Sequence, residues 1–133
     1  MTFEDLKSQF PDATLDTWHV HQNGGGWVQN TAEVSDSAYV GPDAVVFENA
    51  AVSENAQVYG SARVFGNAQV SENAEVSENA EVYGDAEVYG NAQVFGNAKV
   101  SGDDEVLGNE IIAWPISPLF STTWCKLLIQ KEI

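Results

Sequence analysis

A six-residue unit repeats thirteen times without interruption between Thr31 and Gly108. Valine occupies the fourth position of every unit, and alanine occupies the second position of every unit except the last, where Asp104 stands. Because successive side chains of a strand point to opposite faces, Ala-x-Val places both apolar side chains on one face. Glycine and asparagine, which favour bends, are common between these segments. One unit cannot bury its apolar face alone, so the repeat predicts stacked coils around alanine and valine.

The repeat resembles that of the hexapeptide-repeat family, and the resemblance covers residues 31–108. Members of that family fold as left-handed parallel β-helices in which three units form one triangular coil. The resemblance therefore implies an all-β solenoid in which residues eighteen positions apart lie above one another. Its left-handed sense comes from the resemblance alone, because the general rule for crossovers between parallel strands favours the other hand. Short repeat proteins of this type also resemble products of phages and mobile elements.

The sequence predicts three regions: an N-terminal cap over residues 1–30, the solenoid over 31–108 and an apolar C-terminal segment over 109–133. A short helix is expected in the first region, because apolar residues recur there at helical spacing between a capping threonine and a proline: Thr2, Phe3, Leu6, Phe10 and Pro11. Asp104, a charged residue at an otherwise apolar position, suggests that the regular coil ends near it. The last region is expected either to cover the final coil or to pack against another subunit.

Stacking the units predicts a column of acidic side chains at one corner of the coil. Asp36, Glu54 and Glu72 are spaced by eighteen residues, and a serine precedes each of them. The column is either a solvated edge that keeps the solenoid soluble or a binding strip for a cation or a basic partner. Outward positions elsewhere are also acidic, and we assign seven residues to the acidic binding surface: Asp36, Glu54, Glu72, Glu75, Glu78, Glu81 and Glu87.

A second predicted column is aromatic and consists of Phe47, Phe65 and Tyr83. These side chains either pack on one another and support the coil, or they form the apolar centre of an interface. We include them as a candidate binding strip.

The formal net charge is −15, from 20 acidic and 5 basic side chains. Nucleic acids and anionic membranes carry negative charge as well, so we expect direct binding to neither. A basic protein surface, such as that of a nucleic-acid-binding protein, is the partner that this charge fits best. A homodimer or homotrimer is also considered, because relatives in the hexapeptide-repeat family commonly trimerise.

The N-terminus and the cysteine content favour a cytoplasmic location. Residues 1–10 lack the basic start and apolar core of a signal peptide. Cys125 is the only cysteine, so no disulfide forms within the chain, and a reducing compartment is permitted. The most apolar stretch, residues 111–125, contains two prolines and is too short to span a membrane.

Catalytic chemistry has little support in the sequence. Many hexapeptide-repeat proteins are acyltransferases that use a histidine and bind acyl-coenzyme A between subunits, but residues 31–108 contain no histidine. His19 and His21 form an H-x-H pair that would present both rings on one face of a strand, which suits either zinc or an amphipathic cap strand. We expect no catalytic residue, no metal and no cofactor.

The leading hypothesis is a non-enzymatic acidic module that binds a basic protein surface. In its sharpest form, the carboxylates imitate the phosphates of a nucleic acid, and the protein inhibits a nucleic-acid-binding enzyme of a host or of a defence system. Two alternatives remain open. One is a minimal acyltransferase with its site at a trimer interface, using His19 or His21, and the other is a structural element that stacks or trimerises.

Overall fold

The computed structural model of this protein describes residues 1–113, which form one short helix followed by sixteen β-strands. Helix α1 spans Phe3–Gln9, β1 spans Trp18–Val20 and β2 spans Trp27–Gln29. The remaining strands have two residues each and recur every six residues: β3 Glu33–Val34, β4 Tyr39–Val40, β5 Val45–Val46, β6 Ala51–Val52, β7 Gln57–Val58, β8 Arg63–Val64, β9 Gln69–Val70, β10 Glu75–Val76, β11 Glu81–Val82, β12 Glu87–Val88, β13 Gln93–Val94, β14 Lys99–Val100, β15 Glu105–Val106 and β16 Ile111–Ile112.

The strands form three sheets, and each sheet is one face of a parallel solenoid. We name them face A (β2, β5, β8, β11 and β14), face B (β3, β6, β9, β12 and β15) and face C (β4, β7, β10, β13 and β16). Strands pair with the strand eighteen residues later, as Val46 does with Val64 and Val82 with Val100. The predicted all-β solenoid with three units per coil is confirmed. Its left-handed sense remains a prediction from the resemblance.

The interior is the expected column of alanine and valine. The fourth-position valines from Val40 to Val106 are each at most 1% exposed, and so are the second-position alanines from Ala38 to Ala98. Full burial of a valine side chain contributes roughly 1.5 to 3 kcal/mol to folding. Each coil repeats the same arrangement, so the core is continuous along the whole described solenoid.

The solenoid is longer than the thirteen recognisable repeats. β2 pairs in parallel with β5, and Gly26 and Val28 hold the alanine and valine positions of an additional unit at the N-terminal end. A β-carbon on Gly26 would lie 2.3 Å from the carbonyl oxygen of Gly41, so even alanine does not fit there. At the other end, β16 pairs with β13, and the coil therefore continues beyond Asp104. β2 to β16 together build about five coils.

The N-terminal segment packs against face A and pairs with its first strand. α1 begins with a capping box, in which Thr2 and Asp5 each accept a hydrogen bond from the other's backbone N–H. Leu6 is fully buried in an apolar cluster with side chains of the first coils. β1 pairs antiparallel with β2, so it covers the strand edge that begins face A and limits pairing with other chains there. The predicted cap helix is confirmed.

The predicted C-terminal segment falls largely outside the described residues. Of residues 109–133, only 109–113 are described, and they belong to the last solenoid unit. The expectation that this segment covers the coil or contacts another subunit therefore stays a prediction. Within residues 1–113, no helix has the length and apolarity needed to cross a membrane.

Candidate protein-binding surface

The three acids predicted at one corner lie in a single column. Asp36, Glu54 and Glu72 follow the strands of face B in consecutive coils, and all three side chains are exposed. Main-chain hydrogen bonds hold these coils in register, as between the Ser53 N–H and the Val70 carbonyl oxygen at 2.9 Å. Neighbouring strands lie about 4.8 Å apart, so the carboxylates are close enough to repel one another.

The other four predicted acids are distributed over all three faces and do not extend this column into one strip. Glu75 and Glu78 belong to units of face C. Glu81 lies on face A, where its carboxylate is 3.7 Å from the Lys99 ammonium. Only Glu87 shares face B with the column.

Face B carries eight outward acids and no basic residue among its described positions: Glu33, Asp36, Glu54, Glu72, Asp85, Glu87, Asp103 and Glu105. Four of these acids, Glu33, Asp85, Asp103 and Glu105, were not among the predicted surface residues. A signal for them was present, because counting units in threes assigns every charged residue to a face. The prediction took acids at the corners and the strand residues Glu75, Glu81 and Glu87. Three of the four omitted acids also have an acid eighteen residues away: Asp85 and Asp103 have each other, and Glu105 has Glu87.

Faces A and C are electrostatically different from face B. Both basic residues of the described solenoid, Arg63 and Lys99, lie on face A and flank Glu81 in the same row. Face C has two outward acids, Glu75 and Glu78. Negative charge is therefore concentrated on one side of the described solenoid.

Tyr89 lies among the acids of face B, and their negative charge affects the pKa of its phenol. Desolvation raises the pKa of its phenol above the ordinary value of 10.0, and the carboxylates of Glu105, Glu87 and Glu72 raise it further. The cause of this further increase is that nearby negative charge opposes formation of the phenolate. Tyr89 is thus a natural spectroscopic probe of the acidic face.

Four glutamates occupy corner positions whose backbone conformation favours glycine. Glu48, Glu54, Glu72 and Glu78 have φ between 58° and 61°, and glycines at the equivalent position of seven other units have φ between 62° and 70°. A left-handed conformation costs a residue with a β-carbon roughly 1 to 2 kcal/mol. Glycine would avoid this cost at all four corners, so the carboxylates are present there at the expense of stability.

The aromatic column forms as predicted, and its first member is covered by the N-terminal segment. The rings of Phe47 and Phe65 stack with centroids 4.7 Å apart, and those of Phe65 and Tyr83 with centroids 4.9 Å apart. Phe10 and Trp18 pack on Phe47 at centroid distances of 4.8 Å and 6.3 Å. The N-terminal segment therefore packs on the Phe47 end of this column, and Phe65 and Tyr83 remain half-buried.

The two histidines have separate hydrogen-bond partners. The His19 Nδ1 lies 2.6 Å from the Asn30 Oδ1, and the His21 Nε2 lies 2.8 Å from the Ala38 carbonyl oxygen. Because a carbonyl oxygen only accepts, Nε2 of the buried His21 carries a proton and is not a free metal ligand. Among residues 1–113, no group of three or more His, Cys, Asp or Glu side chains is placed to hold a metal ion.

Known proteins give no guide to what this surface binds. No protein-family model, curated protein or solved structure matches the chain. The architecture that the structure shows is a parallel β-solenoid, and a functional conclusion has to rest on the geometry and charge of its surface.

Proposed function

We propose that this protein is a non-catalytic binding module whose face B engages a basic surface of another protein. The observation that carries the proposal is the segregation of charge, with eight outward acids on face B and both described solenoid cations on face A. A surface that served only solubility would not require this segregation. Rows of like charge on a rigid face attract and orient a partner of opposite charge.

The backbone conformation of the corner glutamates supports the same proposal. Glu54 and Glu72 lie in the central column of face B and both hold the left-handed conformation. Strained backbone positions persist at functional sites, where the surrounding structure enforces them. Glycine occupies the equivalent corner in seven other units and would be more stable at these two corners as well. Glutamate in its place is consistent with a requirement for negative charge on this surface.

The linear charge density of face B favours the nucleic-acid mimic as the finer form of the proposal. Its five strands cover about 20 Å, since neighbouring strands lie ~4.8 Å apart. Eight carboxylates over this height give about one charge per 2.5 Å, against about one per 1.7 Å along a DNA duplex. A protein that binds duplex phosphates would therefore meet a field of similar density on a rigid rod.

Two variants with equal net charge test whether face B is the binding surface. One removes four acids from face B, by E54Q, E72Q, E87Q and E105Q, and the other removes four elsewhere, by E4Q, D16N, E75Q and E78Q. Titration calorimetry with a ten-residue arginine–lysine peptide is expected to show binding weakened roughly tenfold in the first variant only. Equal weakening in both would mean that net charge alone attracts the peptide, and the proposal would be wrong.

A capture experiment separates the nucleic-acid mimic from a general acidic binder. Proteins retained from a cell lysate by the wild type, and lost with the face B variant, are treated with excess short duplex DNA at constant ionic strength. Release by the duplex is the outcome expected of a mimic, because the two compete for one site. Retention in the presence of the duplex would exclude mimicry and leave the broader proposal standing. An increase in mass by light scattering without any captured partner would favour the assembly alternative.

A further inference from the structure

A pocket of about 390 Å³ opens between the N-terminal segment and the corner that joins faces A and B. Three aromatic side chains form its floor, Phe10, Trp18 and Phe47. The Phe10 and Trp18 ring centroids are 4.9 Å apart, and Phe10 meets Phe47 nearly edge to face. Trp18 and Phe47 are buried, whereas Phe10 is only half-buried, so Phe10 offers the largest exposed ring surface of the three.

The rim of this pocket is polar and negatively charged. Asp12 and Glu48 contribute exposed carboxylates, and no lysine or arginine is among the described residues that line the pocket. The backbone of Glu48 is fixed from both sides. Its N–H donates to the Gln29 Oε1 at 2.8 Å, and its carbonyl oxygen accepts from the Thr31 hydroxyl at 2.5 Å. These bonds and the left-handed corner fix the backbone from which the Glu48 side chain extends, at the edge of the pocket.

We propose that this pocket binds the guanidinium group of an arginine side chain presented by the basic partner. The inference rests on the proposed function and adds a specific subsite to it. A guanidinium is planar and weakly hydrated, so it stacks on aromatic rings while its N–H groups donate to carboxylates. An aromatic floor with two carboxylates on the rim supplies both interactions. A lysine ammonium, which is compact and strongly hydrated, would use the charge but not the stacking surface.

The position of the pocket fits a partner that already lies on face B. Glu48 stands at the corner after a face A strand, and the unit that contains Thr31 and Glu33 begins face B beside it. A basic chain that follows the carboxylates of face B towards the N-terminal end would reach this corner. The pocket therefore extends the acidic face with a site that selects one kind of basic side chain.

Small probes test the pocket independently of face B. We would titrate ¹⁵N-labelled protein with N-acetyl-arginine amide and with N-acetyl-lysine amide, which carry the same charge, and follow the indole N–H of Trp18. The variants are E48Q, which removes a rim carboxylate, and F10L, which removes the exposed ring. E78Q is the matched control, because Glu78 is an exposed corner glutamate with the same backbone conformation in a unit of face C, outside the proposed binding face. Thermal unfolding of each variant verifies that it is folded.

The arginine amide is expected to shift the Trp18 signal, with affinity reduced roughly fivefold by E48Q and by F10L and unchanged by E78Q. The lysine amide is expected to bind more weakly than the arginine amide. Equal effects of E48Q and E78Q, or equal binding of the two amides, would overturn the proposal, because either result indicates general attraction to an acidic protein. If the arginine amide does not bind the pocket, the inference fails. Binding of the basic peptide to face B is measured separately, so that result does not decide the proposed function.

Discussion

Faces A and B of the solenoid have the same interior and the same backbone, and they differ in the side chains that point outwards. Face A carries the aromatic column, the N-terminal cap and the basic residues Arg63 and Lys99. Face B carries eight outward acids and no basic residue among its described positions. The repeat therefore fixes the core while leaving the outward positions free to vary. On face A they serve packing, and on face B we assign them to binding.

The same contrast appears in the charge pairs of single rows. Glu81 on face A has Lys99 as its neighbour in the next coil, whereas Glu87 on face B has Glu105. Cross-strand pairs of opposite charge contribute roughly 0.2 to 1 kcal/mol, and like charges directly opposite destabilise the sheet. Face B thus lowers the stability of the fold, and face A supports it.

The largest expected effect tests whether the buried valines of faces A and B contribute equally to the shared core. V82D on face A and V88D on face B each place a carboxylate at a fully buried position. Burial of an unpaired charge is expected to cost at least about 4 kcal/mol, a large part of the stability of a small domain. Urea unfolding followed by circular dichroism is expected to show similar losses in both variants. A variant of either face that unfolds like the wild type would contradict a shared dry core.

The next largest effect compares how much an outward side chain on each face contributes to the free energy of unfolding. Phe47 and Ser53 hold the same position of consecutive units, and Phe47 lies beneath the cap whereas Ser53 belongs to the acidic corner. We expect F47A to lower the free energy of unfolding by about 3 kcal/mol and S53A to change it by less than about 0.5 kcal/mol. Similar losses measured by urea unfolding would remove the distinction between a packing face and a binding face.

A smaller effect is expected at the corners of face B. E54G relieves a left-handed glutamate, so we expect stability to increase by about 1 kcal/mol, while binding of the basic peptide decreases. D36G is the matched control in the same column, because Asp36 does not have a positive φ. There glycine relieves no strain and is expected to lower stability by about 0.5 kcal/mol or more. If thermal unfolding shows both glycines acting alike, corner strain does not distinguish these acids.

The smallest effect concerns the ionisation of Tyr89. Its pKa is raised in the folded protein, first by desolvation and then by Glu105 and Glu87, so the folded state retains the phenol proton where the unfolded chain loses it. This contribution to stability is present below the ordinary tyrosine pKa of 10.0 and is lost as the pH rises through the folded value. A pH titration followed by the NMR signals of the Tyr89 ring is expected to show a lower Tyr89 pKa in E87Q and E105Q. The E81Q variant of face A is expected to leave it unchanged, and an equal shift there would contradict a field localised on face B.

The strands and the core could be predicted from the sequence because one strict period places alanine and valine on the same face of every unit. The eighteen-residue register came from the three units per coil that the resemblance implies, and the columns of Phe47 and of Glu54 followed from it. The extra N-terminal unit was missed because Gly26 replaces alanine, a substitution that close contact with Gly41 requires. A local contact of this kind leaves no periodic signal.

The candidate surface was only partly predictable for a different reason. The place of α1 against face A depends on contacts of Phe10 and Trp18 with Phe47, which helical spacing alone does not specify. The left-handed backbone of Glu54 and Glu72 was also not foreseen, since glutamate is not a residue that signals this conformation. Both features arise from packing between coils that are distant in sequence.

The measurement that tests the account most directly maps where a basic chain binds. The ten-residue arginine–lysine peptide would be added to ¹⁵N-labelled protein, and the backbone amide signals of the two faces compared at equivalent positions. We predict shifts at Ser53, Ser71 and Tyr89 of face B and none at Phe65, Tyr83 and Ser101 of face A. Shifts of equal size on both faces would contradict the assignment of binding to face B.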